Sequence, residues 1–170
     1  MIANPHLIVE RDYRSLSQAA ARFVGRQVLL KEDSVLGMPT GETPRGMYEE
    51  LVRLCLEGVL DLSSVTLFNL DEYLGLPPEH PSSFRSYMQK HFLEILHLNE
   101  MQFHIPHSSP TDPQQECHRY EAAIGEAGGL DLVVLGLGRN GHIAFNEPGT
   151  PWELGTHVAE LLPETRRRAA

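Results

Sequence analysis

The sequence predicts an α/β fold, a Rossmann-like parallel sheet with helices on both faces. Short apolar runs alternate with stretches of helical periodicity along the chain, the order that builds a parallel sheet. One run, Leu130 to Leu137, is almost purely apolar, as a strand covered on both faces should be. It breaks into a glycine-rich loop that carries Asn140, His142 and Glu147. In open α/β sheets the ligand sits just beyond the carboxyl ends of the strands, so the chemistry is sought in the loops that follow them.

The elements follow in order. Leu7-Ile-Val9 reads as a short first strand, and Ser15 to Leu30 as a helix with Ala19, Ala20, Phe23 and Val24 at helical spacing. Ser34 to Met38 is the next strand and runs into Pro39-Thr-Gly-Glu-Thr-Pro44, where Thr43 suits an N-cap and Pro44 the first helical position. Met47, Leu51, Leu54 and Cys55 form the buried stripe of that helix. Val65 to Leu70 is a strand ending in Asp71-Glu72-Tyr73 and a proline-rich loop through Pro81. Ser82 is placed to cap a helix that turns Phe84, Met88, Phe92 and Ile95 inward. Asp112-Pro113 opens another helix with Gln115 as capping-box partner, and Gly128-Gly129 ends it before the Leu130 strand. Pro163-Glu-Thr165 marks the start of one more helix. The chain stops soon after, so an incomplete sheet edge, short of C-terminal elements, is expected.

A length of 170 residues suits one compact domain, and 41% hydrophobic with 22% charged residues is ordinary for a globular chain. The net charge of -9 argues against a nucleic-acid surface, which needs a basic stripe, but leaves room for a small anion in a locally positive site. The one basic cluster, Arg166-Arg167-Arg168, reads as a solvated tail or helix face. Two distant cysteines, Cys55 and Cys117, fit a reduced, cytoplasmic protein with both thiols packed as small hydrophobes. Residues Met1 to His6 lack the pattern of a signal peptide, and no apolar run is long enough to span a membrane. His104 and His107 are separated by Pro106, which disfavours a helical metal pair, so no metal and no cofactor are expected.

Three strands deliver polar loops to one edge. Thr40, Gly41, Glu42 and Thr43 combine a glycine with a helix N-terminus, whose free N–H groups and positive dipole end suit a phosphate. The same loop is also what a plain strand-to-helix turn looks like. Glu42 would oppose an anion there, so its side chain is expected to point outward. Asp71 stands at a strand end, where partial burial would raise its pKa into the range of a general base, though a turn-capping aspartate has the same sequence. His142 follows a glycine, with Glu147 five residues on, and an imidazole oriented by a carboxylate can shuttle protons near neutral pH; a structural histidine would look alike. Residues 136–141 also match the dinucleotide-binding fingerprint, but Pro148 and Pro151 interrupt the helix that motif requires.

Taken together, Pro39-Thr-Gly-Glu-Thr-Pro44, Leu67-Phe-Asn-Leu-Asp-Glu-Tyr-Leu-Gly-Leu76 with Glu79-His-Pro81, and Gly136-Leu-Gly-Arg-Asn-Gly-His-Ile-Ala-Phe-Asn-Glu-Pro148 resemble the glucosamine-6-phosphate deaminase (isomerase) family. The 6-phosphogluconolactonases share its fold and the Gly-His loop but lack the Phe-Asn-Glu-Pro continuation. The resemblance implies conversion of glucosamine 6-phosphate and water to fructose 6-phosphate and ammonium, without a cofactor. It implies that His142 opens the sugar ring, oriented by Glu147 and Asn140, and that Asp71 moves the C2 proton to C1. Thr40 to Thr43 would cradle the phosphate, and Glu72 has no proton-transfer role. Family members commonly form homo-oligomers, which is the expectation here.

Three departures from the family pattern accompany it. Glu42 replaces a small residue, position 140 is Asn where some members have Asp, and the family's phosphate-clamping arginine and lysine have no matching positions before Ala170. In an active deaminase Arg166 to Arg168 are the conceivable replacement clamp; the alternatives are a non-catalytic sugar-phosphate-binding module that lacks the clamp and a lactonase-type hydrolase.

Overall fold

Strands β1 (Val35–Met38), β2 (Thr66–Asn69), β3 (Phe103–His104) and β4 (Leu132–Val133) run parallel in the order β3-β2-β1-β4. The computed structural model describes residues 5–169, with side chains through Arg167. The expectations for Met1 to Asn4 and for the Arg168 side chain fall outside these. The helices are α1 (Tyr13–Leu30), α2 (Glu42–Leu56), α3 (Phe84–Met88), α4 (Glu94–Leu96), α5 (Pro113–Glu126) and α6 (Pro163–Ala169). Between α3 and α4 the helix widens into a π-turn at Gln89–Leu93.

Alternation along the strands explains the two layers. Leu36, Met38 and Leu67 point to one face and pack with Val24 and Val28 of α1, Met47, Tyr48 and Leu51 of α2, and Met88 and Phe92 beyond them. Val35 and Phe68 point the other way, onto Tyr120, Ala123 and Ile124 of α5. Helices on both faces of a parallel sheet are therefore observed, as predicted. Asp12 caps α1 by accepting from the Ser15 N–H, and Asp112 caps α5 by accepting from Gln114 and Gln115. The reciprocal capping box forms elsewhere, at Asn99 and Gln102.

Several local expectations give way. Leu7 to Val9 is no strand; it lies exposed because no sheet edge reaches it. Phe23 and Ile95 face outward rather than into the core, since the buried stripe of α1 runs instead through Ala21, Val24 and Val28. The cap of α3 is Ser83, which accepts from the Ser86 N–H, not Ser82. The Leu130 run is covered on both faces only at its start, where Leu130 packs on the α5 side. Leu132 and Val134 pack on the core, while Val133, Leu135 and Leu137 are 37%, 54% and 79% exposed. An edge strand with one neighbour keeps the apolar composition of a buried strand without its second cover.

Gly46, inside α2, permits the close approach of α1. A Cβ there would lie 2.4 Å from Ser17 Oγ and 3.1 Å from the Tyr13 ring. Helix propensity alone would make Gly46→Ala stabilising by about 1 kcal/mol. The overpacking reverses that sign, and chemical denaturation should show a net loss of roughly 1–2 kcal/mol.

Candidate active site

Parallel strands send their carboxyl ends the same way, so loops far apart in sequence meet at one edge. The loop after β1 contributes Thr40, Gly41, Glu42 and Thr43 to an open cavity of about 800 Å³; the loop after β4 contributes Gly138, Arg139, Asn140 and His142. Tyr73, Phe84, Tyr87 and Phe145 complete the apolar wall, and Glu164 and Thr165 of α6 close one side.

Helix α2 starts at Glu42, earlier than expected. Gly41 is its N-cap at φ 109°, with no side-chain cap, so Thr43 lies inside the first turn and Pro44 after it. A glycine in this conformation lets the chain enter the helix without a capping side chain and leaves the first N–H groups free of protein partners among the described residues. The Glu42 side chain points outward as anticipated, 88% exposed and 3.7 Å from Arg45.

The β4 loop holds its imidazole by a chain of hydrogen bonds. Glu147 Oε2 accepts from Asn140 Nδ2 at 2.7 Å, and Asn140 Oδ1 lies 2.8 Å from His142 Nδ1 and accepts the His142 N–H at 3.1 Å. Glu147 thus orients His142 through Asn140 rather than directly. An amide whose Nδ2 donates to a carboxylate has its oxygen left to accept, which favours a proton on Nδ1 and leaves Nε2 for the ligand side. Gly138 lies beneath the ring: a Cβ there would come within 2.2 Å of His142 Cε1. The chain then turns back through paired Ile143 and Asn146 instead of opening a helix, so the dinucleotide reading has no structural counterpart.

Glu147 is held from a second side, accepting the Leu162 N–H at 3.0 Å where α6 begins. Desolvation would raise its pKa, but the facing Thr165 hydroxyl, the Leu162 N–H, the Asn140 amide and the His142 charge together hold it below the usual value. Thr165 Oγ1 is buried and has no partner at hydrogen-bond geometry among the described residues, so it acts there as a nearby dipole.

Asp71 is placed apart. It lines a neighbouring cavity of about 260 Å³, and Tyr73 and Phe145 form the wall shared with the larger one. Burial, then the adjacent Glu72 charge, pushes its carboxyl up to about 7. No described residue donates a hydrogen bond to that carboxylate. Glu72 is fully engaged instead: Oε1 accepts from Tyr73 N at 2.8 Å and Phe84 N at 3.0 Å, and Oε2 from Arg85 N at 3.0 Å. It caps the start of α3 from twelve residues away, a role without a local sequence signal.

The structure therefore joins Thr40, Gly41, Glu42, Thr43, Asn140 and His142 around one cavity, sets Glu147 behind Asn140, and places Asp71 in an adjoining cavity that Tyr73 and Phe145 also line. Tyr73, Phe84 and Phe145, whose rings pack 4.7 to 5.7 Å apart, were not expected to line the cavity; Phe84 was expected only to turn inward from its helix. Two of them lie within the motifs themselves, as Asp-Glu-Tyr73 and Ala-Phe145-Asn-Glu, and that is the signal they offered. Arg166 and Arg167 line a separate surface hollow and do not reach this cavity, so they supply no clamp to it. Among the described residues no acid, histidine and cysteine cluster could hold a metal, and no helix is long and apolar enough to cross a membrane.

Residues 11–166 match the family described as glucosamine-6-phosphate isomerases/6-phosphogluconolactonase. A glucosamine-6-phosphate deaminase of Halothermothrix orenii is 47% identical over 159 residues, covering 94% of this chain and 66% of the relative. One from Geobacillus sp. strain WCH70 is 46% identical, with 96% and 65% covered. The chain thus spans slightly under two thirds of the length of these relatives. The solved structure of a monomeric glucosamine-6-phosphate deaminase superposes with a TM-score of 0.91 at 41% identity, covering 94% of this chain and 66% of that one. A 6-phosphogluconolactonase of Leishmania guyanensis shares the fold, with a TM-score of 0.79 at 22% identity. By the family match and by these identities, the chain belongs to the glucosamine-6-phosphate isomerase/6-phosphogluconolactonase family.

Proposed function

We propose that residues 1–170 act as a single domain converting glucosamine 6-phosphate and water to fructose 6-phosphate and ammonium. The observation that carries the reading is the Glu147–Asn140–His142 chain beside the uncapped first turn of α2, in one cavity. The phosphate would sit on the N–H groups of Thr40 to Thr43, with Arg139 as the arginine on the cavity wall. His142 transfers the proton that opens the ring, and Asn140 and Glu147 stabilise the imidazolium that forms. Asp71 then takes the C2 proton and returns it to C1, and water displaces ammonium from the resulting ketimine. A carboxyl held near 7 is matched to that task. In this reading the sugar's C1–C2 end lies against Tyr73 and Phe145, the wall that Asp71 adjoins.

The second reading, a module that binds the sugar phosphate without turnover, is drawn from the placement of Asp71 and His142 in the linings of two adjoining cavities rather than one. The chain is read as cytoplasmic. A homo-oligomer remains part of the proposal, against which stands the relative described as monomeric; light scattering in solution decides between them.

Three outcomes test the proposal. Ammonium release from glucosamine 6-phosphate should be detectable, and Asp71→Asn should lower kcat roughly 10²–10⁴-fold with substrate affinity nearly kept; binding without release in the parent protein would favour the module. Asn140→Leu, which cuts the imidazole from Glu147, should lower kcat by roughly 10²-fold with KM little changed. The third is a pH dependence. Folding raises the Asp71 pKa from 3.8 to about 7, so the folded state holds this proton more tightly. Its contribution to stability is full below about pH 4 and is lost as pH rises through about 7. Asp71→Asn should accordingly be more stable than the parent at about pH 8, by roughly 1–3 kcal/mol, with the gap closing towards about pH 4 in thermal melts.

A further inference from the structure

Three tyrosine hydroxyls converge on the turn between β1 and α2 from three different elements. Tyr48, fully buried in α2, donates to the Pro39 carbonyl at 2.6 Å. Tyr87, at the end of α3 next to the π-turn, donates to the Gly41 carbonyl at 2.8 Å. Tyr13, the first residue of α1, shares its proton between the carbonyls of Glu42 and Thr43 at 3.1 and 3.0 Å and accepts the Gly46 N–H at 2.9 Å. Gly46 is what admits the Tyr13 ring, since a Cβ there would press on it. Burial pushes the Tyr48 and Tyr87 hydroxyls above their ordinary pKa, so both remain donors.

A trans peptide is planar, with its C=O and the next N–H pointing in opposite directions. Holding the carbonyls of Pro39, Gly41 and Glu42 therefore fixes the N–H directions of Thr40, Glu42 and Thr43. It also engages carbonyl dipoles that would otherwise be free to turn towards an anion. On the opposite side of the cavity Thr165, only 5% exposed, lines it with a hydroxyl that faces the Glu147 carboxylate without reaching hydrogen-bond geometry.

We propose that Tyr13, Tyr48 and Tyr87 are positioning residues that pre-set the peptide planes of the 39–43 turn for a phosphoryl group. The inference rests on the reading of that turn as the phosphate site, and it extends that reading to residues whose hydroxyls face the protein backbone. The cost of orienting the N–H groups is met during folding instead of at binding. The three tyrosines come from α1, α2 and α3, so the turn is held by packing of the whole layer and not by its own sequence.

The test uses the 170-residue protein and inorganic phosphate as the probe, following the backbone amides of Thr40, Glu42 and Thr43 by NMR. Tyr87→Phe and Tyr13→Phe remove only a hydroxyl. Gln102→Ala is the remote comparison: its side-chain amide holds the carbonyls of Leu62, Ser63 and Val65 near the start of β2, at 3.3, 2.7 and 2.8 Å. Each tyrosine variant should weaken phosphate roughly three- to tenfold, while Gln102→Ala stays within about twofold despite losing stability. Equal weakening in all three variants would show a general loss of structure and overturn the proposal. So would the absence of phosphate-dependent shifts at these amides in the parent protein. Phosphate binding with the expected losses, but no ammonium release from glucosamine 6-phosphate, would support the tyrosine role while removing the deaminase reading.

Discussion

Strand β1 has all four residues buried and a parallel neighbour on each edge, so its backbone groups pair with β2, with β4 and with the residues flanking them. Its register places Met38 opposite Asn69 and Gly37 opposite Val133. That pairing brings Thr40, Asp71 and the β4 loop to the same edge of the sheet. Asp131 reinforces it at the other end, accepting from Val35 N at 2.8 Å and from Lys31 Nζ at 2.7 Å. A slip of one residue would reverse which side chains face α1 and α5, and the cost of exposing Leu36 and Leu67 makes the register a strongly determined quantity.

In the proposed reading an acidic chain holds an anion chiefly through dipoles. The first turn of α2 supplies uncapped N–H groups, and the local carboxylates are turned elsewhere: Glu42 to solvent and Arg45, Glu72 to the start of α3, Glu147 to Asn140 and Leu162. Environment also separates two carboxyls of like chemistry. Asp71, half-buried and without a hydrogen-bond donor to its carboxylate among the described residues, is raised to about 7, mainly by desolvation. Glu147, opposed by burial but surrounded by donors, is lowered. Groups pushed apart in this way can carry a base role and an orienting role side by side.

The π-turn at Gln89–Leu93 serves the packing behind this site. By shifting the helical phase after Met88 it lets Tyr87 face the 39–43 turn while Phe92 packs 4.9 Å from Tyr48. Tyr48 in turn contacts Tyr87 edge-on at 6.1 Å. The aromatic cluster thus links core and cavity wall without a break.

The sequence by itself determined most of the element types and the loops that line the cavity. Strand and helix periods are local, and Gly41, Gly138 and the Asp-Glu-Tyr and Gly-His runs stand at strand ends where polar residues have no packing reason to be. The resemblance implied that Asn140 and Glu147 orient His142, but the sequence did not reveal the capping of α3 by Glu72 or the tyrosines on the 39–43 turn, because each joins groups whose separation in the chain carries no periodic signal. Nor could composition show that Val133, Leu135 and Leu137 are exposed, since apolar content is the same whether or not something covers the strand. That Asp71 and His142 line adjoining cavities with Tyr73 and Phe145 common to both was likewise decided only by tertiary packing, because the sheet sets where loops begin while side-chain packing sets where their charged ends lie.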